Sequence, residues 1–207
     1  MKIDTYITSS CLVSRKVVYR NGEVIFKNEE EDLPAFLISA YHHFKISYPK
    51  FYKMDSLCKL GLLGAEILLQ GHSPAGYQSW DTGVVLANAN SSLDTDIKYY
   101  KTTGDIASPA LFVYTLPNIV IGEICIRFNL KGENAFFITE KFDPVFIEQY
   151  VSNLFNNNIL QACICGWIEL LGDEYKTALF LVEKKAGTPA IPFTVENIIK
   201  IYQSDNG

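Results

Sequence analysis

The sequence predicts a layered α/β domain on a mostly parallel, five-stranded sheet with an antiparallel edge. Three observations carry that expectation. β-Branched stretches alternate with stretches of helical apolar spacing, in the order strand, helix, strand, helix, strand, helix, strand, strand. The run Gly83-Val84-Val85-Leu86-Ala87 is continuously apolar, as expected of a strand covered on both faces. With 48% of its 207 residues apolar and 20% charged, the chain can enclose one substantial core, and residues 1–207 are read as a single domain.

Taken in order, residues 3–26 are strand-rich, and Asn21-Gly22 between two β-branched runs predicts a hairpin. The acidic run 29–32 is read as a solvated turn, followed by a short helix over 35–44 that Pro49 closes. Asp55 is placed to cap a helix whose Leu57, Leu60, Leu63, Ile67 and Leu68 recur at helical spacing as far as Gly71. Its Gly61, Gly64 and Ala65 predict close approach of another element. The apolar strand 83–87 follows, then a polar helix near 93–101. Pro117 opens an apolar helix over 118–128 that Asn129 to Gly132 ends. A strand over 135–139, a helix over 144–155 and a strong strand over 160–169 come next. Gly172-Asp173 predicts an antiparallel turn into a strand over 177–182, and a helix over 195–202 follows.

Several function classes drop away on composition. Eighteen basic against twenty-three acidic residues give a net charge of −5, the wrong sign for a phosphate backbone or an anionic membrane, so neither nucleic acid nor membrane is expected as a partner. An acidic residue at Asp4 and the lack of any long apolar window predict a cytoplasmic protein. The five cysteines, Cys11, Cys58, Cys125, Cys163 and Cys165, sit among apolar neighbours and read as reduced core thiols. Cys163 and Cys165 form a C-x-C without a second pair, so no metal is expected. Without a nucleotide-binding glycine loop or a serine elbow, no cofactor is expected either. His42 and His43 diverge on a helix and read as surface residues, while Glu123 and Arg127 at i, i+4 read as an ion pair. Asn88, Asn90, Ser91 and Ser92 follow the buried strand at the end where open α/β sheets bind ligands, but Ser91 or Ser92 serves more simply as a helix cap.

Residues 107–132 carry a more specific signal: Ser108-Pro109, Leu111-Phe112, Tyr114-Thr115-Leu116-Pro117-Asn118, Gly122-Glu123-Ile124, Arg127-Phe128 and Leu130-Lys131-Gly132. This segment resembles the N-terminal half of the β-ketoacyl synthases, condensing enzymes of the thiolase superfamily. Met54-Asp55-Ser56-Leu57 resembles the family's Met-Asp-Arg segment, Cys165-Gly166-Trp167-Ile168-Glu169 its Ala-Gly-Gly-x-Glu strand, and residues 177–183 the strand closing its first half. The resemblance covers residues 82–183 and, more distantly, 53–69. It implies one βαβαβαββ half of the layered thiolase-like fold, with helices on both faces of the sheet, where the complete enzymes stack two such halves.

The resemblance also says what catalysis would need: a cysteine at a helix N-terminus, where the dipole favours the thiolate, and two imidazoles (or an imidazole and an amide) contributed by the second half. The nucleophile position falls at or beside Lys141, in Glu140-Lys141-Phe142-Asp143, where no cysteine stands. All three histidines, His42, His43 and His72, precede it. Cys163 and Cys165 share one strand face among apolar residues and read as inert, Cys125 likewise, and two readings of Lys141 and Phe142 stay open, that they plug an acyl channel or that they point elsewhere.

The expectation is thus a non-catalytic relative, similar to a chain-length factor, that binds an acyl carrier protein or a full-length β-ketoacyl synthase in fatty-acid, polyketide or aryl-polyene-type assembly. The helix over 144–155, buried between halves in the family, is expected to show Val145, Phe146, Tyr150, Val151 and Leu154 partly to solvent. Phe137, on a strand that pairs across the family's dimer, joins Phe146, Tyr150 and Leu154 as a partner interface in a homo- or hetero-oligomer. Two other readings stay open: an acyltransferase or condensing enzyme with a rearranged or shared site, and a structural domain whose likeness reports ancestry alone.

Overall fold

Two tight hairpins open the chain. In the computed structural model, which describes residues 3–28, 32–71, 76–104, 106–185 and 190–205, strands β1 (Tyr6–Ser14), β2 (Val17–Arg20) and β3 (Glu23–Lys27) form a meander. Asn21 and Gly22 turn β2 into β3 with φ of 51° and 84°, the left-handed pair that a two-residue hairpin requires. Arg15 and Lys16 turn β1 into β2 with φ of 48° and 59°, a hairpin without a sequence signal because neither residue type favours that region. Helix α1 (Leu33–His43) follows, capped by Asp32, whose carboxylate accepts the Ala35 N–H. Residues 29–31 of the acidic run, and His72, lie outside the described residues.

A 3-10 turn over Pro49–Lys53 leads to α2 (Ser56–Leu68), capped by Asp55 as expected. The next elements are β4 (Thr82–Asn88), α3 (Leu93–Thr102), the single turn α4 (Pro109–Phe112) and α5 (Ile119–Phe128). Left-handed Asn129, at φ 54°, ends α5. The chain continues through β5 (Asn134–Ile138), α6 (Pro144–Asn156), β6 (Ala162–Leu171), β7 (Glu174–Glu183), the short β8 (Ile191–Pro192) and α7 (Val195–Tyr202).

These strands form one mixed sheet in the order β3-β2-β1-β7-β6-β4-β5, with β8 beside β1. The expectation of a mostly parallel, five-stranded sheet is corrected here: the described residues hold eight strands, and only β4–β5 and β4–β6 pair in parallel. The reason is topological. After its hairpin with β6, β7 inserts between β6 and β1 instead of forming an edge, so both of its pairings are antiparallel. Strands β1, β6, β4 and β5 still run the same way, while β2, β3 and β8 add further antiparallel partners.

Helices cover both faces. On one, α1, α2 and α5 bury Phe36, Leu60, Leu63, Val120 and Ile124 against Val13, Val84, Leu86 and Ile168. On the other, α6 and α7 bury Ile147, Val151, Phe155 and Ile198 against Leu12, Val85, Cys165 and Phe180. Alternation of Val84 and Val85 between the two cores explains the uninterrupted apolar run of β4. A β-carbon on Gly61 would strike Val120 of α5, and one on Gly64 would crowd Leu179 of β7, so these two glycines of α2 mark where other elements come close.

Candidate functional site

The head of α6 is the place to which sequence reasoning assigned the nucleophile. It is reached from β5, the edge strand, whose outer side has no neighbouring strand among the described residues. The Thr139 N–H donates to the Asn88 carbonyl (2.9 Å), tying the turn after β5 to the end of β4, and the Thr139 hydroxyl donates to the Lys141 carbonyl (2.9 Å). The Lys141 side chain is exposed. Asp143 caps α6, its carboxylate accepting the Phe146 N–H at 2.9 Å, with Pro144 in the first turn. A carboxylate thus already satisfies one of the orphan donors and faces the positive dipole end that would stabilise a thiolate.

Phe142 does not lie free. Its ring stacks on Tyr202 at 4.0 Å between centroids and meets Trp167 edge-on at 5.8 Å. Behind Tyr202 stands Lys176, whose ammonium is 4.2 Å from that ring and 2.7 Å from an Asp205 carboxylate oxygen; the Ser14 hydroxyl donates to the other oxygen at 2.7 Å. Burial alone would raise the Asp205 carboxyl, but hydrogen bonds from Lys176 and Ser14 outweigh it and hold the group below its ordinary value. Burial, helped by nearby Asp205 and Glu169, raises the Tyr202 phenol. Sequence reasoning missed Ser14, Lys176, Tyr202 and Asp205. No local signal joins residues brought together across almost the whole chain.

At the end of β4 the polar residues serve the loop itself. Glu169 on β6 accepts the Ala89 N–H (2.7 Å), the Asn90 amide (3.0 Å) and the Leu170 N–H (3.0 Å). Asn88 accepts the Ser91 N–H and donates to the Ser91 carbonyl, holding Ser91 at φ 53°. Ser92 occupies the cap position of α3, but its hydroxyl donates to the Thr115 carbonyl (2.9 Å) and approaches the Asp96 carboxylate, so the expected side-chain cap does not form.

The expected Glu123–Arg127 pair is also corrected. Buried Glu123 pairs with Lys50 at 2.8 Å, and Arg127 pairs with Glu66 at 2.5 Å, because each side chain reaches a different neighbouring element. His42 and His43 are exposed, His43 packing on Phe26 at 4.7 Å.

Among the cysteines, all except half-buried Cys125 are buried, and all five are free thiols. Burial pushes Cys11 up to about 12, against a weaker pull from Arg20, pushes Cys125 up to about 11, and raises Cys58 and Cys165 well above the ordinary value. High values disfavour the thiolate, as expected of inert core thiols. Among the described residues no three His, Cys, Asp or Glu side chains gather as a metal site, and no helix is long and apolar enough to cross a membrane.

Of the expected interface residues, Phe137, Phe146 and Tyr150 form a half-buried aromatic cluster, with Phe137 4.8 Å from Phe146 and 4.9 Å from Tyr150. Leu154 and Val151 were expected to show partly to solvent but are buried in the chain's own core, because β6 and β7 occupy the face of α6 on which they lie.

This architecture recurs in solved structures. The ishigamide ketosynthase/chain length factor superposes with a TM-score of 0.62 at 16% identity, covering 87% of this chain and 62% of that one. A complex of a type II polyketide synthase acyl-carrier protein with its ketosynthase bound to the hexaketide gives 0.61 at 12% identity, over 88% and 63%. A complex of the ketosynthase ApeO with its chain length factor ApeC from Xenorhabdus doucetiae gives 0.58 at 11%, over 90% and 81%. The chain has the ketosynthase/chain length factor fold. It spans less than two thirds of the length of the first two matches. No protein-family model and no curated protein matches its sequence.

Proposed function

We propose that the chain is a non-catalytic partner of a condensing enzyme, acting in the manner of a chain-length factor in polyketide, fatty-acid or aryl-polyene-type assembly. The head of α6 carries this reading: Lys141 and Phe142 stand where the resemblance puts the nucleophile, and Asp143 occupies the helix end that would activate one. The fold shared with ketosynthase and chain length factor structures supports the reading. So does the surface. Edge strand β5 carries half-buried Phe137 and exposed Ile138, and exposed Ile97, Tyr100, Phe112, Val113 and Leu116 lie on and around α3 and α4. The partner is a full-length ketosynthase, with an acyl carrier protein as the substrate-bearing component.

Co-expression with a ketosynthase and carrier protein, followed by light scattering, tests this. A stable 1:1 complex with the ketosynthase is the expected result, with Ile138→Lys, at an exposed position of β5, abolishing it while leaving the melting temperature nearly unchanged. Intact mass after exposure to acyl carrier thioesters should show no acyl adduct. A covalent adduct on any of the five cysteines would instead establish the condensing-enzyme reading, and a monomer indifferent to both proteins the purely structural one.

A further inference from the structure

The edge of the sheet beside β1 is interrupted. On the side away from β7, β1 pairs with β8 at Tyr6 and Ile7 and with β2 from Cys11 onward, leaving Thr8 to Ser10 without a neighbouring strand among the described residues. The register of β1 on β7 also slips at Thr8, which has no paired residue there. Asn21 partly closes the gap: its side-chain oxygen accepts the Ser10 N–H at 2.8 Å, and its backbone N–H donates to the Ser10 carbonyl at 3.0 Å. What remains is a cavity of about 380 Å³ bounded by this notch, the Asn21–Gly22 turn and one face of α7, at the small end of the size range of ligand sites.

The lining has two characters. Ile7, Ile191 and Ile201 supply apolar wall. Among the described residues Lys200 is the one charged residue of the lining, no acidic residue lines the cavity, and Lys200 has no ion-pair partner. The nearby Asn21 amide nitrogen has no hydrogen-bond partner among the described residues. In a chain of net charge −5, an exposed lysine without an ion-pair partner among the described residues, sharing its lining with three isoleucines, favours a negative head on an apolar body.

We infer that this cavity binds a small aliphatic monocarboxylate, its carboxylate held by Lys200 and the Asn21 amide and its alkyl chain laid along Ile7, Ile191 and Ile201. The site is separate from the head of α6 and does not depend on the partner reading above.

Calorimetric titration of the full chain with hexanoate, acetate and 1-hexanol tests it. Hexanoate should bind saturably at one equivalent, with acetate and 1-hexanol each about tenfold weaker, the equivalent of about 1.4 kcal/mol. Lys200→Gln should weaken hexanoate by a similar factor. Asn21→Asp keeps the acceptor for Ser10 and tolerates positive φ, so it should preserve the fold and yet repel the carboxylate. Equal binding of hexanoate and 1-hexanol, an unchanged affinity in Lys200→Gln, or no saturation by about 10 mM would overturn the proposal.

Discussion

The two faces of the sheet are finished differently. Under α1, α2 and α5 the larger core buries Phe36, Tyr41 and Phe51 together with aliphatic residues against the glycine-bearing surface of α2, and buried Glu123 pairs with Lys50. Under α6 and α7 the core is smaller and its rim is aromatic, with Phe137, Phe142, Phe146, Tyr150 and Tyr202 only partly covered. The first is the more closed face by the size of its core, with half-buried Phe26, Phe44, Tyr48, Phe128, Phe136 and Tyr175 at its own rim; on the second, half-buried rings gather in two contacting groups around the head of α6, large and rigid like those that anchor protein interfaces.

The largest expected effect comes from the strand that serves both faces. Gly166 on β6 sits at φ +147°, and a β-carbon there would run into the Ala178 carbonyl of β7. Backbone cannot yield as a side-chain tip does, so Gly166→Ala should cost at least about 3 kcal/mol in urea unfolding, lowering the stability of both faces together. A selective loss on one face would break the view of a shared sheet.

Next, Leu63→Ala on the closed face should cost about 2–5 kcal/mol, whereas Phe146→Ala on the aromatic rim should cost about 1 kcal/mol. Equal costs would erase the distinction between the faces. Interface behaviour should run the other way, with Phe146→Ala weakening ketosynthase binding and Leu63→Ala leaving it unchanged at temperatures where the variant is folded.

Asp205 sharpens the comparison through pH. Its folded value lies below the ordinary one, so its ion pair stabilises the fold above about pH 4, and the contribution fades as pH falls through the lowered folded value. Asp205→Asn should therefore cost about 1–3 kcal/mol at neutral pH, with the difference from the wild-type chain shrinking under acid unfolding. A difference that persists in full at low pH would mean that the latch of α7 is not electrostatic.

The smallest effect is chemical. With four thiols buried and the values of Cys11, Cys58, Cys125 and Cys165 raised, brief iodoacetamide treatment at pH 8 should modify little of the native protein, half-buried Cys125 first, and all five cysteines after unfolding, as read by intact mass. Rapid native labelling of Cys163 or Cys165 would open the aromatic face far wider than described.

Much of this was legible in particular residues. Asp55, Asn21-Gly22 and Asn129 marked their cap, turn and helix end because each acts on its own few bonds. The helix over 195–202 appears as α7 with those same bounds. The Arg15–Lys16 turn was invisible, since the pairing of β1 with β2 imposes it on residues with no preference for it. Glu123 and Arg127 were assigned to each other because spacing along a helix says nothing of Lys50 or Glu66.

The sequence by itself determined most of the strands and helices, though not α4 or β8, which strand is buried twice, and that no cysteine stands at the head of α6, because periodicity, caps and residue identity are local properties of the chain. Only the tertiary structure decided that β7 enters between β6 and β1, that Leu154 turns inward while Phe146 stays at the rim, and that Ser14, Lys176 and Asp205 meet. Each of those outcomes is a competition among surfaces far apart in the chain, settled by which contacts bury the most apolar area and leave the fewest polar groups unpaired.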